Sequence, residues 1–442
     1  MHCTLRLLSF LLLLVPRTIC TQPNFYFPPT TGTAWETTDP TSLGFCPERI
    51  DSLYQFLDDH HTKSFILLQD GKIVLERYFG TFTQDSFWYW ASAGKSLTAF
   101  LVGQAQEAGL LHLDDPTSDY LGAGWTSATP AQEAQITIRH QLSMTTGLDD
   151  TGLNDNCLLP GCLTYLADPG TRWAYYNAPY RLLHDVLEAA SGQSINQFTN
   201  TRLFNAVGMK GLWIDHVMYG KARDMARFGL LTLAKGIWDG DTLLHDQQYQ
   251  FDMVHSSQNL NKSYGYLWWL NGQENFMLPG LQIVFPGKVI PNAPDDMFAA
   301  LGKDDQKIHV VPSKGWVVVR QGEAGFPGPG GGAVPIVFDN AMWDYLNKLT
   351  CSPTKVNAPD TAGISVRIWP NPTVDSWTIS APAQIEQVEL CTLDGRLINV
   401  FQGQHSNTLQ VNTTGLSAGR YLVRIFSGGK AVVQNAVLLG QY

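Results

Sequence analysis

Residues 352–364 consist of Ser, Pro, Thr, Lys, Val, Asn, Ala, Asp, Gly and Ile without any hydrophobic period, and the patterning on either side of them differs. Such a stretch reads as a linker, so each flank must bury a core of its own. On the N-terminal side, helix-like and strand-like patterns alternate. A helix over Pro47–His60 precedes a hairpin of Ser64–Leu68 and Lys72–Tyr78 turned by Asp70-Gly71. A second helix over Ser92–Ala108 carries Leu97, Phe100, Leu101 and Ala105 at helical spacing. Strands are expected at Met297–Leu301, Lys307–Val311 and Trp316–Arg320, then a helix near Asn340–Leu349. On the C-terminal side the pattern is short strands only: Val366–Ile368, Trp377–Ser380, Gln387–Leu393, Leu409–Val411, Tyr421–Phe426 and Ala431–Leu439, with turns at Asp394-Gly395, Thr414-Gly415 and Gly428-Gly429. That side reads as a small all-β sandwich. With 442 residues, 44% of them hydrophobic, both cores can be filled.

The N-terminus joins Arg6 to an apolar run, Leu7–Val15, and a short exit ending at Cys20. This is the pattern of a signal peptide, and no later run is apolar enough for a membrane helix. The expected organisation is therefore a signal peptide over 1–21, a first domain over 22–351, the linker, and a second domain over 365–442. Export permits disulfides. Beyond the signal peptide lie Cys46, Cys157, Cys162, Cys351 and Cys391. Cys157 and Cys162 bracket a turn-forming Leu-Leu-Pro-Gly insert and are expected to be bridged, and a Cys46–Cys351 bridge would join the two ends of the first domain. The formal charge of −10 comes from scattered acids rather than a block, so neither nucleic acid nor an anionic surface is an expected partner.

Chemistry concentrates in two segments. Trp90-Ala91-Ser92-Ala93-Gly94-Lys95-Ser96 is an S-x-x-K motif at the head of an apolar helix. Residues three apart share a helix face, so Lys95 can sit beside Ser92, and a lysine desolvated there loses its charge and can take the serine proton. About 80 residues on, Tyr175-Tyr176-Asn177 supplies Y-x-N just before a helix over Tyr180–Ala190. Tyr175, a phenol held partly ionised by a nearby ammonium, would be the proton shuttle and Asn177 a positioner contacting both substrate and lysine.

With these motifs, Ile136–Leu148, the Pro169-Gly170 turn, Ala222–Gly240 and Tyr264–Leu270, the chain over roughly residues 45–350 resembles the serine hydrolases of the β-lactamase superfamily, which includes D-alanyl-D-alanine carboxypeptidases, class C β-lactamases, esterases and 6-aminohexanoate-oligomer hydrolases. The resemblance implies an α+β fold: an antiparallel sheet flanked by helices plus an all-helical subdomain. It also implies acyl transfer through Ser92, with Lys95 and Tyr175 moving the proton; no metal or cofactor is expected, since His60-His61 lack a partner acid at ligand spacing and Asp149–Asp155 does not fit a calcium loop. Backbone N–H groups of Ser92 and of the strand near Ala300, Gly302 and Lys303 would hold the oxyanion. Ala300 falls where the antibiotic-recognising members carry Lys or His, which points to an ester or amide substrate without a penicillin-type carboxylate. Tyr264, Trp268 and Trp269 could line an acyl pocket.

The tail, through Ile368-Trp369-Pro370-Asn371-Pro372-Thr373, Leu393-Asp394-Gly395-Arg396 and Leu416–Tyr421, resembles the C-terminal sorting domain of the bacterial type IX secretion system. It implies contact with the export machinery and a secreted or cell-surface protein. Within it, Gly415-Leu416-Ser417-Ala418-Gly419 matches G-x-S-x-G, but no helix pattern and no histidine follows, so Ser417 reads as a turn residue. The expected function is a secreted serine esterase or amidase acting on a small or peptide-like substrate. The alternatives are a D-Ala-D-Ala carboxypeptidase or β-lactamase, and a surface-binding protein that keeps the fold without turnover.

Overall fold

A computed structural model describes residues 25–152, 154–326, 336–351, 365–392 and 397–439. The expected signal peptide, the linker and the Leu393–Arg396 turn lie outside the described residues. The chain divides into two compact units between Thr350 and Cys351.

The first unit is built on one antiparallel sheet. Its elements, in chain order, are α1 (Pro47–Asp59), β1 (Thr62–Gln69), β2 (Lys72–Tyr78), α2 (Gly94–Glu107), α3 (Asn177–Ser191), α4 (Ala222–Leu233), β3 (Trp269–Leu270), β4 (Phe298–Gly302), β5 (Gln306–Val311), β6 (Trp316–Gly322) and α5 (Ile336–Leu346). The strands lie in the order β2-β1-β6-β5-β4-β3. Every residue of β4, β5 and β6 is buried, because helices cover both faces, and this is why these strands read as continuous apolar runs rather than alternating ones. On one face α4 presses close: a Cβ added at Gly229 would stand 2.4 Å from Val317 Cγ1 and 2.9 Å from Ile308 Cγ2. On the other face Phe56 of α1 stacks on Phe338 and Tyr345 of α5.

Beneath α5 lies a cluster of buried charge. Lys307 on β5 meets Asp339 at 2.5 Å and Asp305 at 3.2 Å, and His309 Nε2 lies 2.6 Å from Asp339. Burial pushes the Asp339 carboxyl up, but Lys307 and His309 outweigh it and hold the group below its ordinary range.

Between β2 and α4 the chain is mainly helical. Its centre is α2, in which every residue from Gly94 to Ala105 is buried, the polar Lys95, Ser96, Thr98 and Gln104 included. A one-turn 3₁₀ segment, Ala91–Ala93, leads into α2, and α3 starts at Asn177 rather than at Tyr180, so Asn177 belongs to its first turn. Cys157 and Cys162 are bridged. Cys46 and Cys351 are both disulfide-bonded, and Cys391 is a buried free thiol.

The second unit has, among the described residues, seven strands: β7 (Arg367–Trp369), β8 (Ser376–Ser380), β9 (Ile385–Cys391), β10 (Leu397–Gln402), β11 (Thr408–Asn412), β12 (Gly419–Ser427) and β13 (Lys430–Leu438). They form a three-stranded sheet, β7-β8-β11, and a four-stranded sheet, β10-β9-β12-β13, around Trp377, Val388, Val411 and Val423. The strand missing from the sequence reading is β10. It lies at the sheet edge with its side chains largely exposed on both faces, so it carries no alternating pattern. Ser417 sits in the connection between β11 and β12, and no helix follows it among the described residues. No helix among the described residues is long and apolar enough to cross a membrane.

Candidate active site

The turn before α2 is strained in a way that exposes one hydroxyl. Ala91 takes a left-handed φ of 48° while Trp90 N–H is tied to Met218 C=O at 2.8 Å, and Ser92 follows at the rim of a cleft of about 600 Å³. Lys95, three residues on and buried, donates from Nζ to Ser92 Oγ at 2.7 Å. Burial lowers its pKa to about 7, with Asp155 raising it and Arg181 lowering it further. The rings of Tyr180 and Tyr175 lie 4.5 and 5.1 Å from the lysine nitrogen, so the charged form keeps some compensation from their π faces.

Tyr175 also borders the cleft. Burial drives its phenol well above the ordinary range, against the opposing effect of a hydrogen bond with Ser92. This corrects the sequence expectation of a partly ionised phenol: the structure holds Tyr175 protonated, since burial disfavours the phenolate more than Ser92 favours it. Asn177 lines the same cleft but does not bond Lys95; its Nδ2 donates to Asp155 Oδ2 at 2.6 Å, and its Oδ1 is buried without a partner.

Three aromatic residues expected to line an acyl pocket stand behind the site instead. Trp269 stacks on Tyr175 with centroids 5.8 Å apart, Tyr264 meets Tyr175 edge-on at 6.1 Å, and Trp268 is buried against Phe228. None of the three borders the cleft; Trp269 on β3, and Tyr264 and Trp268 in the segment before it, are all buried in the core.

The strand at the far side also differs from expectation. Ala300 is 1% exposed in the middle of β4 and contributes nothing to the cleft. Gly302, at the strand end, is where β4 touches the serine turn: a Cβ there would lie 2.4 Å from Trp90 O and 3.1 Å from Ala93 N. The backbone then turns through Asp304 and Asp305, both left-handed with φ of 58° and 63°, and Lys303 emerges into the cleft. The turn is braced from below. Arg320 donates to the carbonyls of Asp304 and Asp305, Gln306 donates to those of Lys303 and Asp304, and Tyr89 bonds Asp304 at 2.6 Å. A cation thus faces the cleft three residues after Ala300, at Lys303.

Sequence reasoning missed the charged and titratable residues Asp155, Arg181 and His216, which also line the cleft. Their only signal was position: the first precedes Cys157, the second lies one turn into α3, and the third follows Ile214 in a turn.

Comparison with known proteins agrees with this geometry. Residues 55–340 match the family model described as Beta-lactamase, and residues 367–438 match that of the secretion system C-terminal sorting domain. An uncharacterized protein of Alkalihalophilus pseudofirmus is 23% identical over 299 residues, covering 58% of this chain and 82% of its own length. Penicillin-binding protein 4 of Amycolatopsis lactamdurans is 33% identical over 181 residues, 37% of this chain and 46% of the relative, so the match spans less than half of that protein. A solved Bacillus anthracis structure, provisionally named a 6-aminohexanoate-dimer hydrolase, superposes with a TM-score of 0.56 at 19% identity, covering 72% of this chain and 89% of that one. The likeness to the solved structure concerns the fold, whereas the family model covers most of the first unit, including Ser92, Lys95, Tyr175 and Asn177. The chain therefore belongs to the beta-lactamase family and is a secreted or cell-surface protein bearing a type IX C-terminal sorting domain.

Proposed function

We propose that the protein is a serine hydrolase that cleaves an ester or amide through an acyl-enzyme on Ser92. The observation that carries this reading is the 2.7 Å contact between Ser92 Oγ and a buried Lys95 whose pKa is lowered to about 7. A neutral amine at that distance takes the hydroxyl proton as Oγ bonds to the substrate carbonyl carbon. The negative charge that develops on the carbonyl oxygen is met by backbone N–H groups of the serine turn and of the β4 end. As the tetrahedral intermediate collapses, the proton passes from Lys95 through the neutral Tyr175 hydroxyl to the leaving group. Water, activated by the same pair, then releases the acid and restores Ser92.

Incubation with a fluorophosphonate and intact mass measurement tests this directly. The wild type is expected to gain one phosphonyl adduct and Ser92→Ala none; an unlabelled wild type would remove the hydrolase reading in favour of a fold kept for binding.

A second reading, activity on β-lactams or D-Ala-D-Ala peptides, gains support from Lys303. An ammonium at the rim of the cleft suits a substrate carboxylate. Under this reading a penicillin leaves a penicilloyl adduct on Ser92, and Lys303→Ala slows its formation more than it slows phosphonylation.

A further inference from the structure

Large apolar side chains are held out to water around the catalytic cleft. The longest run lies in a two-stranded hairpin, Asn275–Phe276 with Phe285–Pro286, whose connection supplies Pro279 and Gly280 to the cleft lining. From Asn275 to Gly287 it carries no charged residue. Leu281, Ile283 and Val284 are 41, 54 and 54% exposed. Two other loops at the cleft repeat the pattern. Ile214, next to the lining residues Asp215 and His216, is 50% exposed, and Leu159, in the disulfide loop that follows the lining residue Asn156, is 71% exposed.

The hairpin holds these side chains out by its own packing. Phe276 stacks on Phe285 with centroids 5.4 Å apart, and Met277 is buried in the core. Leu281 N–H donates to Leu278 C=O at 3.2 Å across Pro279-Gly280, with Gly280 at a left-handed φ of 73°, as a tight turn with glycine third requires. Gln282 Nε2 donates to Trp173 C=O at 2.9 Å, two residues before Tyr175. The hairpin is thus fixed to the backbone that carries the phenol of the site, and its apolar tip stays in water. Exposed apolar clusters mark a surface that a partner or a membrane covers. A folded partner or a second copy seated on three loops around the cleft would close it to substrate, whereas a lipid surface covers the same side chains and delivers substrate to it. The formal charge of −10 disfavours an anionic surface.

We infer that these loops seat the protein on an electrically neutral lipid–water interface with the cleft facing it, so that the ester or amide it cleaves is one carried in that interface. The clause on substrate rests on the serine-hydrolase reading and deepens it; the docking stands apart from it. Leu281, Ile283 and Val284 enter the headgroup boundary, where their exposed surface is removed from water.

The test is flotation of the chain lacking residues 1–21 with phosphatidylcholine vesicles, for the wild type, Ser92→Ala and the double variant Ile283→Ser/Val284→Ser. Wild type and Ser92→Ala are expected to float equally, at low and high salt alike because the attraction is apolar. The double variant is expected to partition about thirtyfold less. Both its positions are more than half exposed, so its melting temperature should match the wild type's, and Leu159→Ser, on a separate loop, is expected to lose about fivefold independently. A wild type that stays in the soluble fraction, or a double variant that floats as well as the wild type, overturns the inference. So does a wild type that dimerises without lipid while the double variant does not, which assigns the patch to a second copy. A long-chain alkyl fluorophosphonate dissolved in the vesicles reads the clause on substrate: Ser92 is expected to label about tenfold faster in the wild type than in the double variant, with equal rates for a short soluble probe. Equal labelling in the vesicles overturns that clause. Flotation without labelling by either probe leaves the docking standing and defeats the hydrolase reading.

Discussion

At the scale of single residues, the economy of the site is a lysine kept where its charge is unwelcome. The Lys95 pKa falls from 10.5 to about 7, so its amine binds its proton far less readily when folded than when unfolded. Between about pH 7 and 10.5 the unfolded chain holds a proton that the folded chain has released, and stability therefore rises with pH across that window. Below about pH 7 the full cost of the buried charge remains. Two results are expected together. The rate of Ser92 phosphonylation climbs with pH through a single ionisation near 7, and Lys95→Met, though inactive, gains stability over the wild type at pH 6 by about 1–3 kcal/mol, a gain that shrinks by pH 10, measured by denaturant unfolding. The Ser92–Lys95 pair was legible because it needs only the three-residue periodicity of a helix. Lys303 was not. Its exposure depends on two aspartates in left-handed backbone, a conformation no local pattern announces when glycine is absent. Asp155 was hidden for a related reason: a loop residue declares its neighbours only once the fold has brought Asn177 to it.

Among the elements, the strands and helices with a strong period or a long apolar run were read nearly to their ends, as with α1, β2 and β4–β6, and the strand that was missed, β10, is exposed on both faces, which erases the period. The cluster under α5 lay beyond such reading, since Lys307, His309 and Asp339 are polar positions in apolar runs. It binds the last helix to the sheet by paired charges rather than by apolar contact alone. Asp339→Asn leaves Lys307 with one carboxylate fewer in a site without water access, and a loss of about 3–5 kcal/mol is expected from urea unfolding, with the sheet β4–β6 affected before the helices around α2. Were the loss below about 1 kcal/mol, the cluster would be contributing little beyond shape.

For the whole molecule, the hydrolase core and the sandwich core share no residue, so each unit satisfies its own burial. A chain ending at Cys351 is accordingly expected to fold, to label at Ser92 at a rate within about twofold of full length, and to remain unexported when produced in a host with the matching secretion system; loss of labelling would show that the hydrolase depends on the tail. The sheet also bears on the order in which the first unit forms. Strand β6, near the end of the first unit, lies between β1, near its start, and β5. The sheet thus has a gap at its centre until almost the whole unit has been synthesised, and contacts this distant in sequence form slowly. The two halves of the sheet, β2-β1 and β5-β4-β3, can therefore be joined only by the last strand to be made, and the cleft that rests on them is among the last features of the unit to form.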